Sequence, residues 1–329
     1  MKKESLVRRL TGSHEALLAA VLVILCILIQ IKSPSFLTPT SIIDMLKNNA
    51  VTMILALGML CILLVGGMDI SIASTCALSG MTTGLLLKYH IIENTILLFV
   101  IAVVIGMVCG AVVGMIIAKG RVLPIIATMG FMYIYRGLAY VVSKNQWASA
   151  ADLGEFKTFA LGSVFGVNRV IWIVILCYAV FFVIMKWTAV GRKIYAVGSN
   201  SEAAAVSGIN AARIKLMVYT LMGTLCGLCG ALAVSVYSSA QPNMMYGQEM
   251  DVIAACVIGG VSMSGGRGSV MGVLLGALTM AVINKALPLV GIDAIAQNTV
   301  QGVIIMVVII MNIWMQRSMK KQNLKRREM

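Results

Sequence analysis

The chain has 329 residues, of which 60% are hydrophobic and only 12% charged, with a formal net charge of +14. Its mean hydropathy is +0.97. Soluble domains carry roughly a quarter charged residues, so this balance excludes a water-soluble globular protein and predicts an all-α polytopic membrane protein. Of the eight cysteines, six (Cys26, Cys61, Cys109, Cys177, Cys226, Cys229) sit in apolar runs. They read as small hydrophobes rather than a disulfide or zinc framework. The 24 methionines suit soft helix packing and form no metal-binding stripe.

About 20 apolar residues cross a hydrocarbon core, and shorter pieces cross only if tilted or broken. About ten transmembrane helices are predicted, some short or broken: 15–31, 49–66, 71–87, 94–118, 122–142, 170–186, 214–236, 251–263, 268–286 and 294–314. The first has the basic flank of a signal peptide, but no small-x-small cleavage site precedes Ile31-Lys32-Ser33-Pro34, so it reads as a retained anchor. One transmembrane domain, 15–314, thus lies between an N-terminal tail, 1–14, and a basic tail, 315–329.

Ten spans starting inside assign every loop a side before its charges are consulted. Eighteen of the 26 Lys and Arg residues then fall inside and seven outside, with Arg136 within a span. Both termini and the loop 188–215 are therefore expected in the cytoplasm. Topology accounts for the positive charge, so the basic tail is assigned to anionic lipid headgroups and no nucleic-acid partner is expected.

The polar loop 188–215, with its basic core at 188–213, has a capping box in Ser199-x-x-Glu202 and a left-handed C-cap in Gly208. A two-turn helix is predicted over 200–207, with Ala203, Ala204, Ala205 and Val206 on one face. So short a helix cannot bury that face alone, and a second protein received at this side is one reading. An ordinary interfacial loop helix is the other.

Two glycine-rich segments interrupt apolar runs. Gly66-Gly67-Met68-Asp69-Ile70-Ser71 joins spans two and three, and Gly259-Gly260-Val261-Ser262-Met263-Ser264 joins spans eight and nine. Both share Gly-Gly-x-x-x-Ser, which reads as an internal repeat of broken helices on a translocation path, or as two tight turns. Asp69 discriminates: an acid at membrane depth faces a cavity or partner, whereas one at headgroup level needs no function. Arg136 either snorkels outward or donates to a polar solute. Asn284, Asn298 and Gln301 suit interhelical hydrogen bonds or a wet pore. His14 and His90 lie at span ends and relay no proton. The outer loops 143–169 and 237–250 read as a docking surface or as solvated connectors.

Taken in order, these segments, the Arg136-Gly137 pair, the run Gly191-Arg192-Lys193 through Asn200-Ser201-Glu202-Ala203-Ala204 with Gly208, and Gly265-Gly266-Arg267-Gly268-Ser269 resemble the ribose, xylose, arabinose and galactose permease subunits of bacterial ABC importers. The resemblance covers about 45–315. Met68 stands where a branched aliphatic is usual, and Ala73 where glycine is common. The resemblance implies a multi-pass protein of the bacterial inner membrane that pairs with a second permease protomer. It also implies contact with an ABC ATPase subunit through 188–215, and a monosaccharide received from an extracytoplasmic sugar-binding protein. No G-x-x-x-x-G-K-[ST] phosphate loop occurs, so the chain holds no cofactor and ATP belongs to the partner subunit. Branched-chain amino acid permeases share the plan and are the alternative substrate class. A secondary transporter would need a midplane ion site, for which Asp69 is the one candidate. An enzyme would need a nucleophile and base or a metal cluster, and neither occurs at useful spacing.

Overall fold

The computed structural model describes residues 14–293 and, beyond them, 296, 299, 300, 302, 303, 306, 307 and 310. The tail through residue 13, Asn298 and Gln301 of the tenth predicted span, and the tail from 311 lie outside the described residues. In chain order the elements are α1 (His14–Lys32), α2 (Pro39–Leu64), α3 (Ile72–Lys88), α4 (Thr95–Gly120), α5 (Pro124–Ser143) and α6 (Phe156–Leu161), then the hairpin β1 (Ser163–Val164) and β2 (Val167–Asn168). They continue with α7 (Arg169–Trp187), α8 (Ala189–Ser199), α9 (Ser201–Val206), α10 (Ala211–Tyr237), α11 (Gln248–Ile258) and α12 (Val270–Leu289). Seven of these helices, α1, α2, α4, α5, α7, α10 and α12, are long and apolar enough to cross a membrane. The expectation of about ten resolves into those seven, a 17-residue α3 that is buried along most of its length, and an α11 of 11 residues. At about 1.5 Å per residue α11 reaches only half-way through a bilayer.

Short polar residues set the helix starts. Asn94 accepts from the amides of Ile96 and Leu97 to open α4, Asn168 from Val170 to open α7, and Asn210 from Arg213 to open α10. Proline opens α2 at Pro39 and α5 at Pro124. The second span begins ten residues earlier than predicted, at Pro39 rather than 49. Hydropathy marks only the apolar part of a helix, and the first turns of α2 carry Asp44, Lys47, Asn48 and Asn49, with Lys47 bonded to Asp44 at 3.0 Å.

The mast of the bundle is α10. Glycines on two of its faces let neighbouring backbones touch: a Cβ on Gly223 would stand 2.2 Å from the Gly106 carbonyl oxygen of α4, and one on Gly227 2.2 Å from that of Ala102. Gly106, Gly110 and Gly114 of α4 supply the matching four-residue spacing. On the other face Gly230 lies against Cys76 and Gly80 of α3. Lipid tails are as apolar as leucine, so this close fit, rather than hydrophobic burial, holds the helices together. Buried tyrosines add cross-ties, Tyr178 to the Met53 carbonyl at 3.1 Å and Tyr135 to that of Cys109 at 2.8 Å. Around this centre 78% of the apolar stretch of α2 is buried against 22% in α5, so α1, α4, α5 and α7 form the outer ring of the bundle. All eight cysteines are free and six are buried.

At one end the segments after α5 and α10 fold together. Ala148 and Ala240 exchange backbone hydrogen bonds, and Ser235 of α10 accepts from the Ala160 amide (2.9 Å) while donating to the Phe156 carbonyl (2.7 Å). Leu153 and Phe156 are buried there. The expectation of solvated connectors is corrected, because apolar residues at that spacing close the bundle. Ser149 donates its N–H and hydroxyl to Asp152, which holds that exposed carboxyl below the ordinary carboxylate range.

A side chain forced into the α4–α10 seam has no room to turn. Gly223→Leu should cost about 1–3 kcal/mol and lower the unfolding midpoint in detergent, whereas Gly130→Leu, which meets open space, should leave it unchanged. Equal midpoints for the two variants would contradict the seam.

Candidate functional site

The first interruption lies between α2 and α3. Gly66 adopts φ +72°, its N–H bonds the Leu63 carbonyl, and that of Gly67 bonds Ile62, both at 2.9 Å. This pair satisfies the last carbonyls of α2. The break expected at Gly66 and Gly67 is present. Asp69 is buried, and one of its carboxylate oxygens accepts from the Ser71 N–H (2.8 Å) and hydroxyl (2.6 Å) at the mouth of α3. Its acid is thus spent on opening the next helix. Tyr219 of α10 ties the unwound strand through the Met68 carbonyl at 3.0 Å.

The second interruption, between α11 and α12, uses the same device at Gly260, φ +83°, with Gly260 bonded to Val257 and Val261 to Cys256. The left-handed residue is the first glycine of the pair in one segment and the second in the other. The shared hexapeptide is therefore not the same piece of structure: Ser71 stands immediately before α3, whereas Ser264 lies well short of α12, inside a turn where its amide bonds the Ser262 hydroxyl (3.3 Å). Ser269 opens α12 by accepting from Gly272 and donates to Glu15 of α1.

The polar loop is more ordered than the sequence suggested. α8 precedes the short helix and buries Gly191, Ile194 and Val197 against the bundle. Ser199 ends α8, so the predicted capping box is corrected: Asn200 is the N-cap, its side chain accepting from the Glu202 and Ala203 amides at 3.0 Å, and Glu202 is exposed. A serine in the last helical turn lacks the extended backbone a cap requires, which Asn200 has (φ −161°, ψ 106°). Gly208 closes α9 at φ +78° as expected, with its N–H on Ala205 and that of Ile209 on Ala204. Ala204 turns inward, while Val206 is 91% exposed beside Ala203 and Ala205. Gly191 packs at the α7–α8 corner, where a Cβ would meet the Met185 carbonyl at 2.5 Å, and the Arg192 guanidinium donates to the Trp187 carbonyl at 3.3 Å.

These three pieces converge. The Gly266 N–H donates to the Leu64 carbonyl at 2.9 Å, joining the second interruption to the end of α2. A Cβ on Gly198 would fall 1.6 Å from that same oxygen and 2.8 Å from the Gly266 nitrogen, and one on Gly265 2.9 Å from the Gly198 oxygen. The Tyr195 hydroxyl adds a bond to the Gly268 carbonyl at 2.8 Å. One glycine junction thus clamps α8 to both broken helices. Gly198 and Tyr195 were missed as site residues, because neither carries a charge or belongs to a motif.

At the opposite end Arg136 is half-buried and braces a neighbouring segment. Its guanidinium donates to the Pro242 and Met244 carbonyls at 2.8 and 2.9 Å and faces Tyr246, fastening the segment before α11. Asn284 of α12 bonds the Asp251 carboxylate and approaches Asn49 at 3.5 Å.

The family described as branched-chain amino acid transport system, permease component, matches residues 41–310. The chain belongs to this permease family. The ribose import permease RbsC of Escherichia coli K12 is 36% identical over 300 residues, 90% of this chain and 92% of the relative. RbsC of Bacillus subtilis 168 is 35% identical over 293 residues, 88% and 90%, and the L-arabinose permease AraH of Azospirillum brasilense 32% over 292 residues, 88% and 85%. No solved structure matches the chain. Within this permease, Arg136→Gln should loosen the segment it fastens: amide hydrogen exchange at residues 240–247 should quicken about tenfold, corresponding to roughly 1.4 kcal/mol, while α8 and α9 stay protected. Unchanged exchange would show that the guanidinium bonds do not hold the segment.

Proposed function

We propose that this chain is the membrane-spanning subunit of an ATP-binding-cassette importer for a monosaccharide of the ribose or arabinose class. The observation that carries the reading is the junction itself: an exposed plug, α9, sits one residue from a helix whose end is locked, backbone on backbone, to two interrupted spans. A separate ATPase subunit holds ATP and grips Ala203, Ala205 and Val206. Its closure pushes α9, Asn200 passes the load to α8, and Gly198 moves Leu64 and Gly266 together. A load that favours one arrangement of these helices over another shifts their populations and alternates access.

An external sugar-binding protein docks at the opposite end, where Trp147, Phe165 and Tyr246 stand exposed above the packed closure. Two permease protomers flank the path in the bacterial inner membrane. Lys119, Arg121, Lys186, Arg192, Lys193, Arg213, Lys215 and Arg267 belong to the end that carries α8 and α9, which supports placing that end and both termini in the cytoplasm. The sugar reading is supported by the relatives, whose names specify ribose import and L-arabinose transport. The family description names amino acids instead, but the relatives cover the chain nearly end to end. An ion-coupled carrier is disfavoured because, among the described residues, Asp69 belongs to no cluster of ligands that could hold a metal ion.

Uptake of labelled pentoses by vesicles containing all subunits tests the proposal. Wild type should accumulate ribose or arabinose only with ATP. Val206→Glu should cut uptake at least tenfold while the permease still inserts, and Tyr195→Phe, which removes the bond to the Gly268 carbonyl without adding bulk, should leave ATPase binding intact but lower transport per ATP hydrolysed. Full transport by both variants would sink the coupling route, and accumulation of leucine in place of pentoses would sink the substrate class.

A further inference from the structure

A polar cavity of about 300 Å³ opens between α2, the end of α10, the start of α11 and α12, lined by Asn48, Asn49, Thr52, Gln248, Asp251 and Asn284. Asn49 lies ten residues into α2, about 15 Å along its axis, so the cavity sits within the outer half of the spans and well away from the glycine junction. Its size is at the lower end of small-molecule sites, roughly 300–1,000 Å³. Inside lipid, polar side chains turned toward one space are costly unless the space is wet or filled.

The lining has a definite chemistry. Carboxamides and the Thr52 hydroxyl both donate and accept, as sugar hydroxyls do. Gln248 is hydrogen-bonded to Tyr237, yet its carbonyl oxygen is buried and, among the described residues, has no hydrogen-bond partner. A buried acceptor left so is unfavourable, and its amide stands on the cavity wall, where a ligand hydroxyl is the partner it lacks. The charged groups are already engaged: Lys285 donates to the Ser41 carbonyl, and Asp251 is bonded to Asn284. Amides outnumber these two charges on the wall, which suits a neutral ligand, and a single carboxylate is a poor cage for a cation. Tyr237 and Met45 offer apolar surface to the C–H face of a ring.

We infer that this cavity is an intramembrane resting site for a neutral polyol of pentose size, through which the transported sugar passes between its external carrier and the inner break. The inference rests on the importer reading. Its location explains why Arg136 fastens the segment leading into α11: that anchor fixes the entry angle of Gln248 and Asp251 on the wall.

The reconstituted importer, with ATPase and binding protein, tests it through two variants that lie apart from the junction. Asn48 is exposed at the rim, so Asn48→Trp fills the opening, and Gln248→Leu removes the lone acceptor. Each should lower ribose taken up per ATP hydrolysed about tenfold and alter the ribose to arabinose uptake ratio at least threefold. Hydrolysis stimulated by the loaded binding protein should stay within twofold of wild type. Wild-type uptake per ATP in both variants would overturn the site, as would uptake and hydrolysis falling together with thermal stability, which would make the cavity structural only. If wild type itself carries no pentose, the importer reading fails instead.

Discussion

A helix buried in packed protein can stop only where every backbone group it releases finds another partner, since no water reaches it there. Both interruptions in this chain obey that constraint twice over. Glycines in the left-handed region fold the last amides back on the helix, and the carbonyl still left over at Leu64 is met by Gly266 from the other interruption. The two broken helices are therefore one object. Because α8 lies on the same carbonyl with only hydrogen for a side chain at Gly198, the polar loop is in backbone contact with both breaks.

Most of the bundle was legible in the amino-acid order. Long apolar runs located α1, α4, α5, α7, α10 and α12 to within a few residues, and Gly66 and Gly208 announced their turns because no other residue adopts those angles cheaply. The polar first turns of α2 were invisible to hydropathy, and so was α8, whose buried residues, Ile194 and Val197, are too few to form an apolar run. The capping box failed for a local reason: Ser199 and Asn200 are both good caps, and only the preceding helix decides which one is extended.

The site was less legible than the fold. Asp69 drew notice as a charge in an apolar context, yet the structure spends it within two residues of itself. Arg136 likewise turned out to brace a neighbouring segment. The residues that hold the junction, Gly198, Gly265 and Gly266, act by having no side chain, and a sequence shows such a role only when the facing backbone is known. The polar cavity gathers amides spread from Asn48 to Asn284, more than 200 positions apart, so no spacing could reveal it.

The bare seam between α4 and α10 has a mechanical corollary. Where Gly106, Gly110, Gly223 and Gly227 meet, no knobs interlock across the interface. Because no side chain fits between these backbones, sliding along the seam is blocked by the larger residues on either side of each glycine. Shape change in this molecule should accordingly carry α4 and the mast together as one rigid pair.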